Sequence, residues 1–295
     1  MTKRIIEPSE LIINPDGSVF HLHLRPEQLA DRIILVGDPG RVDMVAEHFD
    51  TRDYTVQSRE FRTIGGTVGG KRVMCTSHGI GPDNIDIVVT ELDALANVDF
   101  ATCEVRAEHR RLEMVRVGTS GALQPDIAEG QPVISARSVG FDGVLNFYAG
   151  RNSVCDREYE EALCRHTGWD PLWARPYVVS ATPELVRRIG RDDMMLGNTV
   201  TAVGFYGPQG REVRLPLAIP DINARLASFR YGTERLTNYE MESAPLAGLS
   251  ALLGHSAMTV CSIIANRANH AANPSYKGGM EQLVATVVSR FMDED

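Results

Sequence analysis

Short apolar runs that stop at a glycine or a small polar residue recur along the chain: RIILVG (32–37), RVMCTS (72–77), MVRVG (114–118), PVISA (132–136), YVVSA (177–181) and AMTVCSIIA (257–265). Runs of this length without polar alternation predict strands buried on both faces. Between them the period changes. RVDMVAEHF (41–49) and DIVVTELDALANV (86–98) place apolar residues at helical spacing, and GGMEQLVATVVSRFMDED (278–295) predicts an amphipathic closing helix with a charged tail. Strand and helix in alternation predict a layered α/β fold. GGTVGGKRV (65–73) reads instead as a hairpin turn, so some pairing should be antiparallel and the sheet mixed. Without an internal repeat or linker-like composition, one domain over 1–295 is expected, with the aromatic-bearing stretch 141–176 as an excursion from it.

Charge narrows the function classes. A net charge of -9 argues against a nucleic-acid or anionic-membrane surface as the main business of the chain, while leaving room for a local basic pocket. The longest apolar run, 257–265, is too short to span a bilayer. MTKRIIEPSE at the N-terminus has basic residues but no apolar signal core behind them, so a cytoplasmic protein is expected. Cys75, Cys103, Cys155, Cys164 and Cys261 are odd in number and lack CxxC spacing, which reads as scattered reduced thiols.

Several motifs carry candidate chemistry. In GDPGR (37–41) a strand meets a glycine turn and then Arg41 at a helix start; this is an anion site, or a plain strand-to-helix turn with a solvated arginine. VRVGTSGAL (115–123) repeats the theme with Thr119 and Ser120 as hydroxyl donors and with Gly118 and Gly121 allowing close backbone approach. Arg116 inside that apolar strand needs a partner, either a bound anion or an internal carboxylate. Arg267 after SIIAN and Arg59 in SREF stand in similar settings, and three or four such arginines in an acidic chain suggest one convergent anion pocket. No GxGxxG or GxSxG occurs, and the P-loop-like run from Gly65 to Lys71 has Arg72 where a magnesium-binding hydroxyl is required. His21 and His23 alternate along VFHLHL, but no further ligand types lie nearby, so substrate contact or packing is the better reading than a metal. In NYEMES (238–243), Glu240 and Glu242 point the same way if the backbone is extended; they are acceptors for vicinal hydroxyls, or acids favoured at a helix N-terminus.

GDPGR, SREF, GIG, VRVGTSGA, FYGPQGR, NYEMES and IIANR, in this order over most of the chain, resemble the nucleoside phosphorylase-I family, and most closely its bacterial uridine phosphorylases. The resemblance implies a single α/β domain around a mixed, partly barrel-like sheet, assembled as dimers within a hexamer. It implies reversible phosphorolysis of uridine to uracil and ribose 1-phosphate, in pyrimidine nucleoside salvage and catabolism, without metal or organic cofactor and with inorganic phosphate as co-substrate. By matching motif, Gly37, Arg41, Arg116 and Thr119 bind phosphate, joined by Arg59 of a neighbouring subunit. His21, also from the neighbour, contacts the ribose 5′-hydroxyl, while Met241 and Glu242 hold the sugar. Phe205 packs on the base, Gln209 and Arg211 read the uracil amide edge, and Arg267 lies near its O4; Glu242, Arg211 and Arg267 are the expected catalytic groups.

Purine-cleaving relatives carry an aspartate after the late strand, where this chain has Asn266 in IIANRANH, so the resemblance favours a pyrimidine. The alternatives are a purine nucleoside phosphorylase or a nucleosidase of the same family, or a non-catalytic nucleoside-binding protein. Retention of Arg41, Arg59 and Arg116 counts against a nucleosidase. Pro245 is tolerated only in a first helical turn, which sets the expected helix start near Glu242 to Ala244. The stretch 99–113, with EHRRLE, has no assigned role.

Overall fold

A computed structural model describes residues 5–269, 271, 272 and 277–293. The expected basic start (Met1 to Arg4), His270 of IIANRANH and the last two acidic residues lie outside them. The chain opens with β1 (Arg32–Val36), α1 (Pro39–Ala46), β2 (Thr51–Ser58), β3 (Phe61–Val68), β4 (Lys71–Ser77) and α2 (Pro82–Asn97). There follow β5 (Val98–Asp99), β6 (Glu104–Val105), β7 (Glu113–Ala122), β8 (Pro132–Gly140), α3 (Arg157–Thr167), β9 (Tyr177–Ser180) and α4 (Pro183–Gly190). The last third holds β10 (Met195–Thr201), α5 (Ile222–Ser228), β11 (Arg230–Tyr231), β12 (Glu234–Glu240), α6 (Ser243–Leu252), β13 (Ser256–Asn266), β14 (Ala271–Ala272) and α7 (Lys277–Met292).

One sheet in the order β11-β12-β10-β8-β13-β7-β1-β4-β3-β2 organises these elements. A further antiparallel pairing of β12 with β7, through Asn238 and Tyr239, closes β12, β10, β8, β13 and β7 into a ring. The sheet is therefore mixed and partly barrel-like, as the motifs imply. Beyond the ring, β1 runs parallel to β7 and β4, and β4, β3 and β2 form an antiparallel meander. The expected hairpin joins β3 to β4: Gly69 and Gly70 both have positive φ, 57° and 75°, which a two-residue turn of this hand requires.

Alternation along β1 explains its unbroken hydrophobicity. Ile33 and Leu35 pack with Ile85, Val88 and Leu92 of α2 and Leu246 and Leu249 of α6. Ile34 and Val36 face the other way, toward Val42 and Val45 of α1 and Leu283, Val287 and Phe291 of α7. A period of two with helices on both faces leaves no solvent side for a polar residue.

Four departures from the expected pattern have local causes. β10 and β12 escape an apolar reading because their buried side chains form a polar chain: Ser135 Oγ donates to Thr199 Oγ1 (2.7 Å), Thr199 to Asn238 Oδ1 (3.0 Å), and Asn238 Nδ2 to Ser120 Oγ (3.0 Å). The excursion 141–176 contains α3, whose signals are Asp156 capping Tyr159 N–H and Gly168 at φ 62° after the last turn. VFHLHL is a turn and not a strand; Val19, Leu22 and Leu24 are buried, whereas His23 sits at φ 53° and is exposed. At the start of the 99–113 stretch, β5 and β6 pair across 98–105 into a separate two-stranded ribbon. Among the described residues, no helix is long and apolar enough to cross a membrane.

Candidate functional site

The C-terminal ends of β1, β7, β12 and β13 open into a cleft of about 1550 Å3. Ten of the twelve residues to which the resemblance assigns roles line it: Gly37, Arg41, Arg116 and Thr119 with Met241 and Glu242, and Phe205, Gln209, Arg211 and Arg267. At the first end, Asp38 caps α1 by accepting the Gly40 N–H at 2.8 Å, and Pro39 occupies the first turn, so Arg41 enters the cleft from a fixed helix start. Its guanidinium makes no hydrogen bond or ion pair with any described residue.

Arg116 has the internal carboxylates that its strand position demanded. It is 4% exposed, with Nη1 3.0 Å from Glu240 Oε2, Nη2 donating to Glu242 Oε2, and Nε donating to His78 Nε2 at 3.2 Å. Burial works against the guanidinium charge, but Glu242 and Glu240 outweigh it and hold its pKa above the usual value. Burial, followed by Arg116 and Arg41, drives His78 well below the ordinary histidine range, so it is neutral here.

The two glutamates of NYEMES differ in how completely they are used. Glu240 Oε2 accepts the N–H groups of Glu242 and Ser243, both at 2.8 Å, and Oε1 accepts the hydroxyls of Thr201 (2.6 Å) and Ser243 (2.8 Å). Glu240 thus satisfies donors at the start of α6, where Glu242 is the N-cap residue and Pro245 falls in the first turn as expected. Glu242 takes the Gly81 N–H (2.7 Å) and Arg116, and burial, eased by Arg116 and aggravated by Glu240, raises its pKa.

At the opposite end, Arg211 Nη1 donates to Gln209 Oε1 at 2.7 Å and Arg267 Nη2 donates to the same oxygen. Guanidinium groups only donate, so the amide must present Oε1 to them and keep Nε2 as its remaining donor. Arg211 lies 3.9 Å from the centroid of Phe205, and Arg267 lies 4.7 Å from that of Tyr239. Burial, reinforced by Arg211, lowers Arg267 to about 10. Two crowded cations at one end of a cleft favour a ligand group that gains negative charge.

Gly118 and Gly121 each lie against an arginine side chain. A Cβ on Gly118 would lie 2.9 Å from Arg116 Nη1, and one on Gly121 would lie 2.4 Å from Arg267 Nη1. Both glycines make room for guanidinium groups. Asn266 lines the cleft, but its amide is consumed: Nδ2 donates to the carbonyls of Gln124 and Ile127, and Oδ1 accepts from Ala268 and Asn269.

His21 and Arg59 are not brought to this cleft. They lie together elsewhere, Arg59 5.5 Å from the centroid of Phe20 and Phe20 edge-on to His21 at 4.8 Å. Sequence gave no role to Tyr239, His78 or Glu91. Tyr239 lies on β12, a strand that the apolar pattern does not reveal; His78 and Glu91 carry no local signal, since their partners lie 38 and 70 residues away. A separate group, Asp93, His109 and His255, brings ligand-type atoms within 4.8 Å of one another. The Leu112 N–H donates to His255 Nδ1 at 3.2 Å, leaving the ring proton on Nε2, which faces Asp93 Oδ1 at 3.1 Å. That lone pair is committed to a proton, and the group acts as a hydrogen-bonded staple.

Over residues 31–293 the sequence matches the Phosphorylase superfamily. It is 27% identical over 287 residues to a uridine phosphorylase of Thermococcus kodakarensis, covering 95% of this chain and 88% of that protein. Against a uridine phosphorylase of Klebsiella aerogenes the identity is 30% over 259 residues, covering 85% and 87%. A nucleoside phosphorylase of Trypanosoma brucei, described as showing uridine phosphorylase activity, has a solved structure similar to this one, with a TM-score of 0.88 at 27% identity over 95% of this chain and 99% of that one. By sequence over most of its length and by fold, the chain belongs to the phosphorylase superfamily.

Proposed function

We propose that this chain is a uridine phosphorylase. One observation carries the reading: a single cleft joins a free arginine and a carboxylate-bound arginine at one end to a Gln209–Arg211–Arg267 cluster at the other. Phosphate occupies the first end, on Gly37, Arg41, Arg116 and Thr119; uracil occupies the second, stacked on Phe205. The ribose lies between, held by Met241 and Glu242. A phosphate oxygen attacks C1′, the C1′–N1 bond breaks, and its electron pair leaves on uracil N1. Arginines suit the task because they position phosphate without protonating it, so it stays nucleophilic. Glu242 and phosphate favour the positive charge that develops on the sugar, and Arg211 and Arg267 favour the negative charge on the departing base.

In the free enzyme Arg116 and Glu242 neutralise each other. Phosphate competes for Arg116 and releases Glu242 toward the ribose hydroxyls, so the ion pair keeps both groups charged and in place until substrates arrive. Inorganic phosphate is a co-substrate, and no metal or organic cofactor enters the reaction. His21 and Arg59 complete the site of a neighbouring subunit in a homo-oligomer, dimers within a hexamer. The cytoplasm and pyrimidine nucleoside salvage are the expected setting. All four polar contacts of Asn266 are already made, so its amide is not free to meet a purine N7. Initial rates on uridine and inosine at saturating phosphate test the base assignment: uridine should be cleaved faster, and faster cleavage of inosine would overturn it.

A further inference from the structure

We infer that Glu91 is a positioning residue for the ribose-facing histidine: it anchors His21 for the active site of the adjoining subunit. The inference rests on the proposed reaction and on the proposed place of His21 in it.

Glu91 is a carboxylate 7% exposed in the middle of α2, and its contacts converge on one short segment. It accepts the His21 N–H on both oxygens (3.0 and 3.1 Å), the Leu22 N–H on Oε2 (2.8 Å), and the ring of His21, whose Nδ1 lies 2.6 Å from Oε1. A buried carboxylate with this many charge-assisted contacts locks both the backbone and the ring of the residue it holds. Because a carboxylate oxygen accepts, the ring donates its Nδ1–H to Glu91, and Nε2 is the ring nitrogen left to meet an outside hydroxyl. Phe20 and Phe61 fix the ring plane from two sides, edge-on at 4.8 and 6.3 Å. A quarter of the His21 side chain, 26%, remains accessible, so the oriented ring faces outward and is not sealed in the core.

The same helix sets His21 apart from this chain's own cleft, which it does not line. Gly81, at the N-terminus of α2, donates to Glu242 in this chain's own cleft. Ten residues separate it from Glu91, which places the His21 anchor about 15 Å along the helix from that contact. A histidine ring cannot reach back over such a distance. Its neighbour across Phe20 is Arg59, the other residue absent from the cleft, so one surface carries a phosphate-type cation and a hydroxyl acceptor side by side.

Uridine and 5′-deoxyuridine separate positioning from mere support of the fold, since only the first has the hydroxyl that His21 would meet. For Glu91→Gln, kcat/KM on uridine should fall about ten-fold, the scale of a misplaced contact in an otherwise intact site. The same variant should cleave 5′-deoxyuridine within about two-fold of the parent, which also certifies that it is folded, and adding Glu91→Gln to His21→Ala should change nothing further. Equal losses on both nucleosides, or no loss on either, would overturn the role of Glu91. If His21→Ala itself treats the two nucleosides alike, the assignment of His21 fails and this inference falls with it.

Discussion

Glu240 and Glu242 stand two residues apart, touch the same arginine, and are expected to fail in different ways. Glu240 has all its accepting capacity spent on Thr201, Ser243 and the start of α6, so Glu240→Gln should lower stability by about 1–3 kcal/mol, read as a fall in the urea midpoint. Glu242 is held by Gly81 and Arg116 at the cleft, and Glu242→Gln should lower kcat about a hundred-fold with the urea midpoint little changed. A variant pair with these two outcomes exchanged would contradict the assignment. Spacing and residue type alone left the two carboxylates nearly equivalent, and only the resemblance favoured Glu242, because what separates them physically is contact with Thr201 and Gly81, residues 39 and 161 positions away. The arginines were more legible, since a charge inside an apolar strand must be answered by something. What answered Arg116 in the free protein could not be chosen in advance between a ligand and a carboxylate.

Among the elements, the apolar runs located the strands that helices cover on both faces. β10 and β12 stayed hidden because the ring they help close is lined by hydroxyls and amides, which erase the hydrophobic signal. The junction after β8 offers a pH test. There Asp142 accepts the Tyr177 hydroxyl of β9 on both oxygens, and burial raises its pKa to about 6 from an ordinary 3.8. A carboxyl with a raised folded-state pKa contributes stability that is complete below the unfolded value and is lost as pH rises through the folded one. Asp142→Asn should therefore gain on the parent between pH 4 and pH 7, by no more than about 3 kcal/mol. Urea midpoints at both pH values would show it; a constant difference would mean that Asp142 does not titrate in this window.

For the whole molecule, the motifs were scattered over most of the chain, and only the fold shows that ten of their twelve residues meet in one cleft. His21 and Arg59 are the informative exceptions, since no local pattern says which copy of a chain a side chain will serve. If they complete a neighbour's site, mixing two inactive proteins should restore activity. Glu242→Gln and Arg59→Ala protomers, co-expressed or reassembled together, should regain up to about a quarter of the parent's sites, because each hybrid dimer rebuilds one intact site out of two. No recovery in proven hybrids would place Arg59 outside the site or within its own. The central claim is phosphorolysis, and it is tested most directly by following uridine with and without inorganic phosphate while identifying the sugar product by phosphorus NMR. The account predicts ribose 1-phosphate in amounts equal to uracil and no cleavage when phosphate is left out; free ribose, or equal turnover without phosphate, would contradict it.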